Sequence, residues 1–484
     1  MLAACSVSFS DAMMDGFYSD SASLYREMGD EPSDPSGDNF DQIKENPFTK
    51  TAEEPVSTFS VDADGAAYAY MRRCVKSGVL PSANSVRIEE YLNYFTFDYP
   101  EPTGAEMLAI NAELAACPWN GSHVLLRLGL KGRSLRDNQI PDANYIFLID
   151  TSGSMAGDDR ITLLQNGLVT MLDYMKPTDR VAIITYSGSV SKALESTLVS
   201  DAARIKKVIK GLKASGSTAG GAAMKMAYDE AVAHYITGGN NRIIMCTDGD
   251  FNVGVSSTEA LVEMVESYLD KGIYLSIMGF GQGNFQDSRM ENLSNHGNGT
   301  YTYIDSEEEM MKVFVNERSR FWAVANDTKC QVTFDPAAVE SYRLIGYENR
   351  VMAREDFEND KKDAGEIGAG QTITALYEIV PADGFTTGSA PARFDVRYKL
   401  SLGGESRPLT KEILVPADLN ALSVNMGLAA GIAAYGLCLR NSEYKGEANW
   451  AMAQDLVAPA VADDPYGLRA QLLDMIGKAA ACKR

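Results

Sequence analysis

The sequence predicts an α/β protein: a central, doubly wound and mostly parallel sheet, flanked by a β-sandwich region and a C-terminal helical segment. Three observations predict it. Asn144-Tyr-Ile-Phe-Leu-Ile-Asp150, Arg180-Val-Ala-Ile-Ile-Thr-Tyr186 and Arg242-Ile-Ile-Met-Cys-Thr247 are near-continuous apolar runs separated by segments of helical periodicity, the pattern of strands buried on both faces. Downstream, short strands such as Gln371-Thr-Ile-Thr-Ala-Leu-Tyr-Glu-Ile-Val380 are punctuated by Gly and Pro turns. The chain's 484 residues also exceed what one hydrophobic core supports, so several domains are expected.

Residues 1–56 read as an acidic tether. The stretch from 6 to 56 is rich in Ser, Asp, Glu, Gly and Pro, as in Gly29-Asp-Glu-Pro-Ser-Asp-Pro-Ser-Gly37, and has too little apolar surface to offset the entropy of ordering. Its start, Met1-Leu-Ala-Ala-Cys5, resembles the lipobox of bacterial lipoproteins, without the basic and apolar regions of a full signal peptide. That resemblance makes Cys5 a candidate lipidation site and implies a membrane anchor in the cell envelope, on the outer membrane or in the periplasm.

Residues 57–142 follow, with helices expected over 64–77 and 85–95 and strands within 107–132, including the alternating run His123-Val-Leu-Leu-Arg-Leu-Gly-Leu130. The α/β unit spans 143–320. After its first strand a helix is expected around Ile161–Leu172. Strands then follow at 180–186, 190–197, 242–247, 273–280 and 300–304, with helices near 201–212, 221–236, 256–270, 287–296 and 306–320. Residues 321–416 read as a β-sandwich, completed by the strands that precede the α/β unit. Residues 417–484 read as helical, over 418–440, 448–461 and 466–480. Leu419 to Leu439 carries no charge across 21 residues, but Asn420, Ser423 and Asn425 crowd its first turns and the purely apolar part is too short to span a bilayer. A core helix is expected, with Gly427, Gly431 and Gly436 permitting close packing.

Composition removes whole classes of function. With a net charge of −22 the chain lacks the basic surface that nucleic acid requires. Its 7 cysteines are scattered without a Cys-x-x-Cys pair, and its 3 histidines leave little for a multi-His metal site or a His base. Cys246, within an apolar run, reads as a buried small hydrophobe. Gly279-Phe-Gly-Gln-Gly283 departs from dinucleotide-site spacing at Asn284, and the Gly-rich stretch 216–221 has no adjacent lysine to cradle phosphate. No small-molecule substrate is therefore indicated.

The motif that carries chemistry is Asp150-Thr151-Ser152-Gly153-Ser154, at the end of a buried strand. In open α/β sheets, ligands bind beyond the carboxyl ends of the strands. Here the sequence resembles the von Willebrand factor type A (VWA) family and its metal-ion-dependent adhesion site. The resemblance implies that Asp150, Ser152 and Ser154 come from one loop, Thr218 (in Gly216-Ser-Thr-Ala-Gly-Gly221) from a second and Asp248 (in Thr247-Asp-Gly-Asp250) from a third. It further implies Mg2+ as cofactor, with Mn2+ or Ca2+ as alternatives, and a partner protein that presents Asp or Glu to the open coordination position. Hydroxyl and carboxylate oxygens are the donors a small hard cation prefers. The competing reading is that Asp150 and Ser152 cap a helix starting near residue 158.

Similarity extends further. Arg87-Ile-Glu-Glu-Tyr-Leu-Asn-Tyr-Phe95, Cys117-Pro-Trp-Asn120, Tyr342-Arg-Leu-Ile-Gly-Tyr-Glu-Asn349, Asp363-Ala-Gly-Glu-Ile-Gly-Ala-Gly370 and Tyr466-Gly-Leu-Arg-Ala470 resemble bacterial VWA lipoproteins of the YfbK type. A non-enzymatic interaction protein is expected. The rivals are a Mg2+-dependent phosphohydrolase using Asp150 as nucleophile, and a structural subunit with a vestigial site. The first is disfavoured because Ser152 stands where such enzymes place a second Asp for acid–base work. Asp62-Ala-Asp64-Gly65 is read as a helix N-cap, because Ala67 stands where a calcium loop requires Gly.

Overall fold

The computed structural model describes residues 40–136, 138–216, 221–249, 258–281 and 287–482. Among them, six strands form the central sheet in the order Tyr301–Ile304, Ile273–Phe280, Asn240–Thr247, Ala143–Asp150, Arg180–Tyr186 and Val190–Leu198. All neighbours pair in parallel except the last two, which form an antiparallel edge. Alternate residues of each strand point to opposite faces. Phe147, Ile149, Ile183 and Ile244 pack on Leu164, Leu168 and Ile205, whereas Ile146, Leu148, Ile184 and Ile243 pack on Ala223, Ala227 and Leu293. Both faces are therefore covered, which is why the strands read as continuous apolar runs.

The sandwich draws its strands from both sides of this unit. One sheet runs Thr49–Lys50, Val339–Ile345, Thr372–Pro381, Val124–Gly132, Leu108–Ala116; the other runs Val351–Met352, Val56–Ser60, Ala323–Phe334, Ala392–Lys399, Ser406–Ile413. The unit expected over 57–142 is thus not separate, and the α/β unit is inserted into the sandwich. The physical reason lies in Val124–Gly132, which is buried along its whole length and needs a neighbour on each side. The expected tether likewise gives way before residue 57. Thr49 and Lys50 pair with Tyr342 and Ser341, Asn46 Nδ2 donates to the carbonyls of Leu344 (3.2 Å) and Gly346 (2.8 Å), and Phe48 packs edge-on to His123 and Tyr444. Residues 1–39, Cys5 included, lie outside the described residues.

The apolar C-terminal helix spans Val424–Arg440 and is buried on all sides from Met426 to Arg440. It packs among the Ala66–Lys76, Ile88–Tyr94, Trp450–Val457 and Leu468–Ala481 helices. A Cβ at Gly436 would collide with Ile88, so the close approach requires glycine there. No described helix is long and apolar enough to cross a membrane.

Asp62 and Asp64 do not cap the helix they precede. Gly65 occupies the N-cap without a side-chain bond, and Glu90 instead accepts the Ala67 N–H at 2.7 Å. The two aspartates join Glu291 around the Arg350 guanidinium, at 3.0 Å (Asp62), 3.2 Å (Asp64) and 3.5 Å (Glu291), with Arg87 3.0 Å from Glu291. Asp62, Asp64 and Glu291 are all buried here. Removing one partner of a buried ion pair strands the others without compensation, typically at a cost of about 3–5 kcal/mol. Arg350→Met is therefore expected to lower stability by about that amount, read as a reduced midpoint of urea unfolding.

Candidate metal centre

Asp150 ends a strand with parallel neighbours on both sides, so the chain leaves the sheet at its middle. The next residues offer nothing apolar until Met155, which is fully buried and pins the far end of the loop. Between them the loop folds on itself. Asp150 Oδ1 accepts the Ser152 N–H at 2.8 Å, and the Ser152 and Ser154 hydroxyls are 2.9 Å apart. Ser152 is buried and Ser154 exposed, so the pair leads from the sheet end to the surface.

A second loop is clamped to the first by backbone alone. The Gly153 N–H donates to the Gly216 carbonyl at 3.0 Å, and the Ser215 N–H to the Thr151 carbonyl at 2.7 Å. Gly216 takes a φ of +91°, a conformation that favours glycine. Thr218 follows two positions later and lies outside the described residues. The third loop starts where Asn240–Thr247 ends, on the strand paired with Ala143–Asp150, and places Asp248 there, 8% exposed. The structure thus brings Asp150, Ser152 and Ser154 together, sets Asp248 at the neighbouring strand end, and ties the backbone just before Thr218 to the same loop. Asp250 is outside the described residues.

The electrostatics are those of an uncompensated acid. Burial pushes the Asp150 carboxyl up to about 6; hydrogen bonds from Ser152 oppose the shift and the Asp248 charge adds to it. Among the described residues no cation pairs with Asp150; its buried Oδ2 has no hydrogen-bond partner of good geometry among them, and the neighbouring Tyr186 hydroxyl also opposes the upward shift. Converging hydroxyls, an orphaned carboxylate oxygen and an unbalanced negative charge fit a small hard cation. Among the described residues one trio of close carboxylates occurs, Asp62, Asp64 and Glu291, away from Asp150, and it is already bridged by Arg350.

The helix-cap alternative does not hold. The helical turn after the loop begins at Asp158 with Gly157 as N-cap and no side-chain cap, so neither Asp150 nor Ser152 serves it. Sequence reasoning missed Arg160. Its side chain crosses the loop after the Ile273–Phe280 strand so closely that a Cβ at Gly281 would collide with it. The Gly281 carbonyl also accepts from Arg73 Nη1 (3.0 Å) and from the Tyr303 hydroxyl, which links this rim to the Ala66–Lys76 helix. Nothing local in the sequence signals that contact.

Comparison with known proteins gives a consistent picture. Three family models match: von Willebrand factor over residues 34–127, von Willebrand factor type A domain over 145–250, and "Uncharacterized protein YfbK, C-terminal" over 319–482. The uncharacterized protein YfbK of Escherichia coli (strain K12) is 36% identical over 469 residues, which cover 92% of this chain and 81% of that protein. Inter-alpha-trypsin inhibitor heavy chain H3 of Mesocricetus auratus is 29% identical over 258 residues, 49% of this chain but 28% of that one. Among solved structures, a von Willebrand factor type A protein from Catenulispora acidiphila aligns over 76% of this chain and 90% of its own, at 15% identity and a TM-score of 0.44.

The buried Asp150 charge yields a prediction for the metal-free protein. In excess EDTA at pH 7, Asp150→Asn is expected to raise stability by about 1–2 kcal/mol, because the amide keeps the Oδ1 acceptor and removes a desolvated charge facing Asp248. The check is urea unfolding of both forms in chelator; a less stable Asn variant would contradict the electrostatic account.

Proposed function

The chain belongs to the YfbK family of von Willebrand factor type A proteins, and from that premise we propose that it grips a partner protein through a divalent cation. In this reading Asp150, Ser152, Ser154, Thr218 and Asp248 hold Mg2+, with Mn2+ and Ca2+ as substitutes. The observation that supports it most is the two-bond clamp between the Thr151–Gly153 and Ser215–Gly216 backbones, 2.7 and 3.0 Å, beside an orphaned Asp150 oxygen.

Each residue then has a physical task. The Ser152 and Ser154 hydroxyls are direct oxygen donors, held in contact by the tight loop. Thr218 brings a third hydroxyl from the clamped loop. Asp150 and Asp248 balance charge and orient hydroxyls rather than crowding the ion. Asp150 is already committed through Oδ1 to the Ser152 backbone, which leaves Oδ2 for this role. When bound, the cation supplies an electrophilic open position for an exogenous carboxylate, an Asp or Glu of the partner. Anchorage to the cell envelope through Cys5 is part of the same proposal and is supported by the lipobox-like Met1–Cys5 stretch.

Two readouts test it. Mg2+ at about 100 times its Kd stabilises the folded state by about 2.7 kcal/mol, so Tm is expected to rise by several degrees in the unaltered chain and not in Asp150→Ala or Ser152→Ala. Envelope extracts passed over the immobilised chain are expected to yield a partner in Mg2+ that is released by EDTA and not retained by Asp150→Ala. Equal retention with and without the cation overturns the proposal. Mg2+-dependent turnover of phosphomonoesters, lost in Asp150→Asn, would establish the phosphohydrolase instead.

A further inference from the structure

The Tyr186 hydroxyl lies beneath the proposed metal centre, on the strand beside Asp150. Asp150 and Tyr186 are register partners on adjacent parallel strands. On the other side Ile149 pairs with Cys246, so Thr247 stands next to Asp150 on a third strand. Tyr186, Asp150 and Thr247 thus form one row across three strand ends. Side chains alternate along a strand, so Asp150 shares a face with Ile146 and Leu148, Tyr186 with Ile184, and Thr247 with Met245. That is the face packed on Ala223 and Ala227. All three members of the row are fully buried.

Phenylalanine would fill the same space, and a buried hydroxyl is unfavourable unless it has polar neighbours. Here it has two. The Tyr186 hydroxyl faces the Asp150 carboxylate and, beyond it, the Thr247 hydroxyl. Neighbouring strands lie about 4.8 Å apart, so a phenol that starts on one strand and reaches the next but one lies across the strand between. Burial first, then the Asp150 charge, push the Tyr186 hydroxyl well above the ordinary phenol range, with Thr247 opposing. It therefore stays protonated, as an O–H donor must.

Both ends of the row are tied to loops. The Tyr186 carbonyl accepts the Thr151 N–H at 2.9 Å and the Thr151 hydroxyl at 3.2 Å, which fixes the first loop just after Asp150. Thr247 Oγ1 accepts the Gly249 N–H at 3.2 Å and closes the turn that carries Asp248, where Gly249 takes a φ of +95°. The backbone clamp at Gly216 joins the first loop to the second; the row joins the first to the third. On the premise that these loops hold a cation, we infer that Tyr186 is a positioning residue of the metal centre. Its hydroxyl holds the Asp150 carboxylate against Thr247 and so sets the spacing of Asp150 and Asp248. Groups that orient a metal ligand from behind typically change affinity by about 10–100-fold.

The test is isothermal titration of the full chain with Mg2+ and, in parallel, Mn2+. Tyr186→Phe is expected to weaken binding at least about tenfold. Thr247→Val, which keeps the shape and removes the hydroxyl, is expected to weaken it too, and the double variant no further than the stronger single, because the two groups act as one link. Tyr228→Phe controls for a merely structural role. Tyr228 is buried in the same apolar cluster, but its ring stacks on Tyr268, its titratable neighbour, and this variant is expected to bind as the unaltered chain does. Should Tyr186→Phe not fold, Thr247→Val against Tyr228→Phe decides. If the unaltered chain binds and Tyr186→Phe binds equally well, or Tyr228→Phe loses as much, or the double variant is fully additive, the role of Tyr186 is overturned and the metal reading stands. No uptake of either ion by the unaltered chain overturns both.

Discussion

The Arg350 guanidinium, held among Asp62, Asp64 and Glu291, is the contact on which the arrangement of the molecule depends. An α/β unit inserted into a sandwich enters and leaves through neighbouring strands, and nothing in that topology fixes its orientation. The cluster does. Asp62 and Asp64 lie just beyond one sandwich strand, Arg350 lies between two others, and Glu291 sits on a helix of the inserted unit. Desolvated charges are tolerated only when paired in good geometry, so a rotated unit would bury them unpaired. Asp64 extends the lock by accepting the Tyr301 N–H at 2.7 Å on the edge strand of the central sheet. The Ala66–Lys76 helix then runs along that edge to Arg73, which grips Gly281 at the opposite end of the strands. Cluster, helix and the rim at the strand ends form one mechanical line.

The same chemistry bears on the Asp150 site. Several buried carboxylates are matched by arginine, Asp305 and Glu309 by Arg72, Glu348 by Arg440 and Glu378 by Arg343, whereas Glu89 is not. Asp150 has no such partner among the described residues, although it is fully buried at the end of a central strand. A desolvated acid without an internal cation is expensive to keep. Its persistence is easiest to account for when positive charge arrives from outside.

Much of this could be read from the sequence, for identifiable reasons. The central strands declared themselves because burial on both faces removes polar residues from whole runs, as in Ile146 to Ile149. Asp150, Ser152 and Ser154 were legible because one tight loop carries all three. What sequence could not supply was pairing over distance. Val56–Ser60 and Ala323–Phe334 are neighbours although the whole inserted unit separates them. The loop clamp at Gly216 uses backbone groups, which have no signature in side-chain identity. Asp62 and Asp64 obeyed a local rule for helix caps and were taken from it by Arg350, while Glu90 supplied the acceptor from another helix. The helix expected over 306–320 is real only at Glu307–Met311; it widens into a π-turn over Lys312–Asn316 and tightens again at Arg318–Phe321. Periodicity places such a helix but does not register its changes of pitch.

Net charge says little about which cation an acidic protein takes; the spacing of donors says more. At the strand ends, two hydroxyls in contact and an orphaned carboxylate oxygen crowd into one loop, and a second loop is clamped against it by its backbone. Donors that close favour an ion small enough to sit among them and shed part of its water.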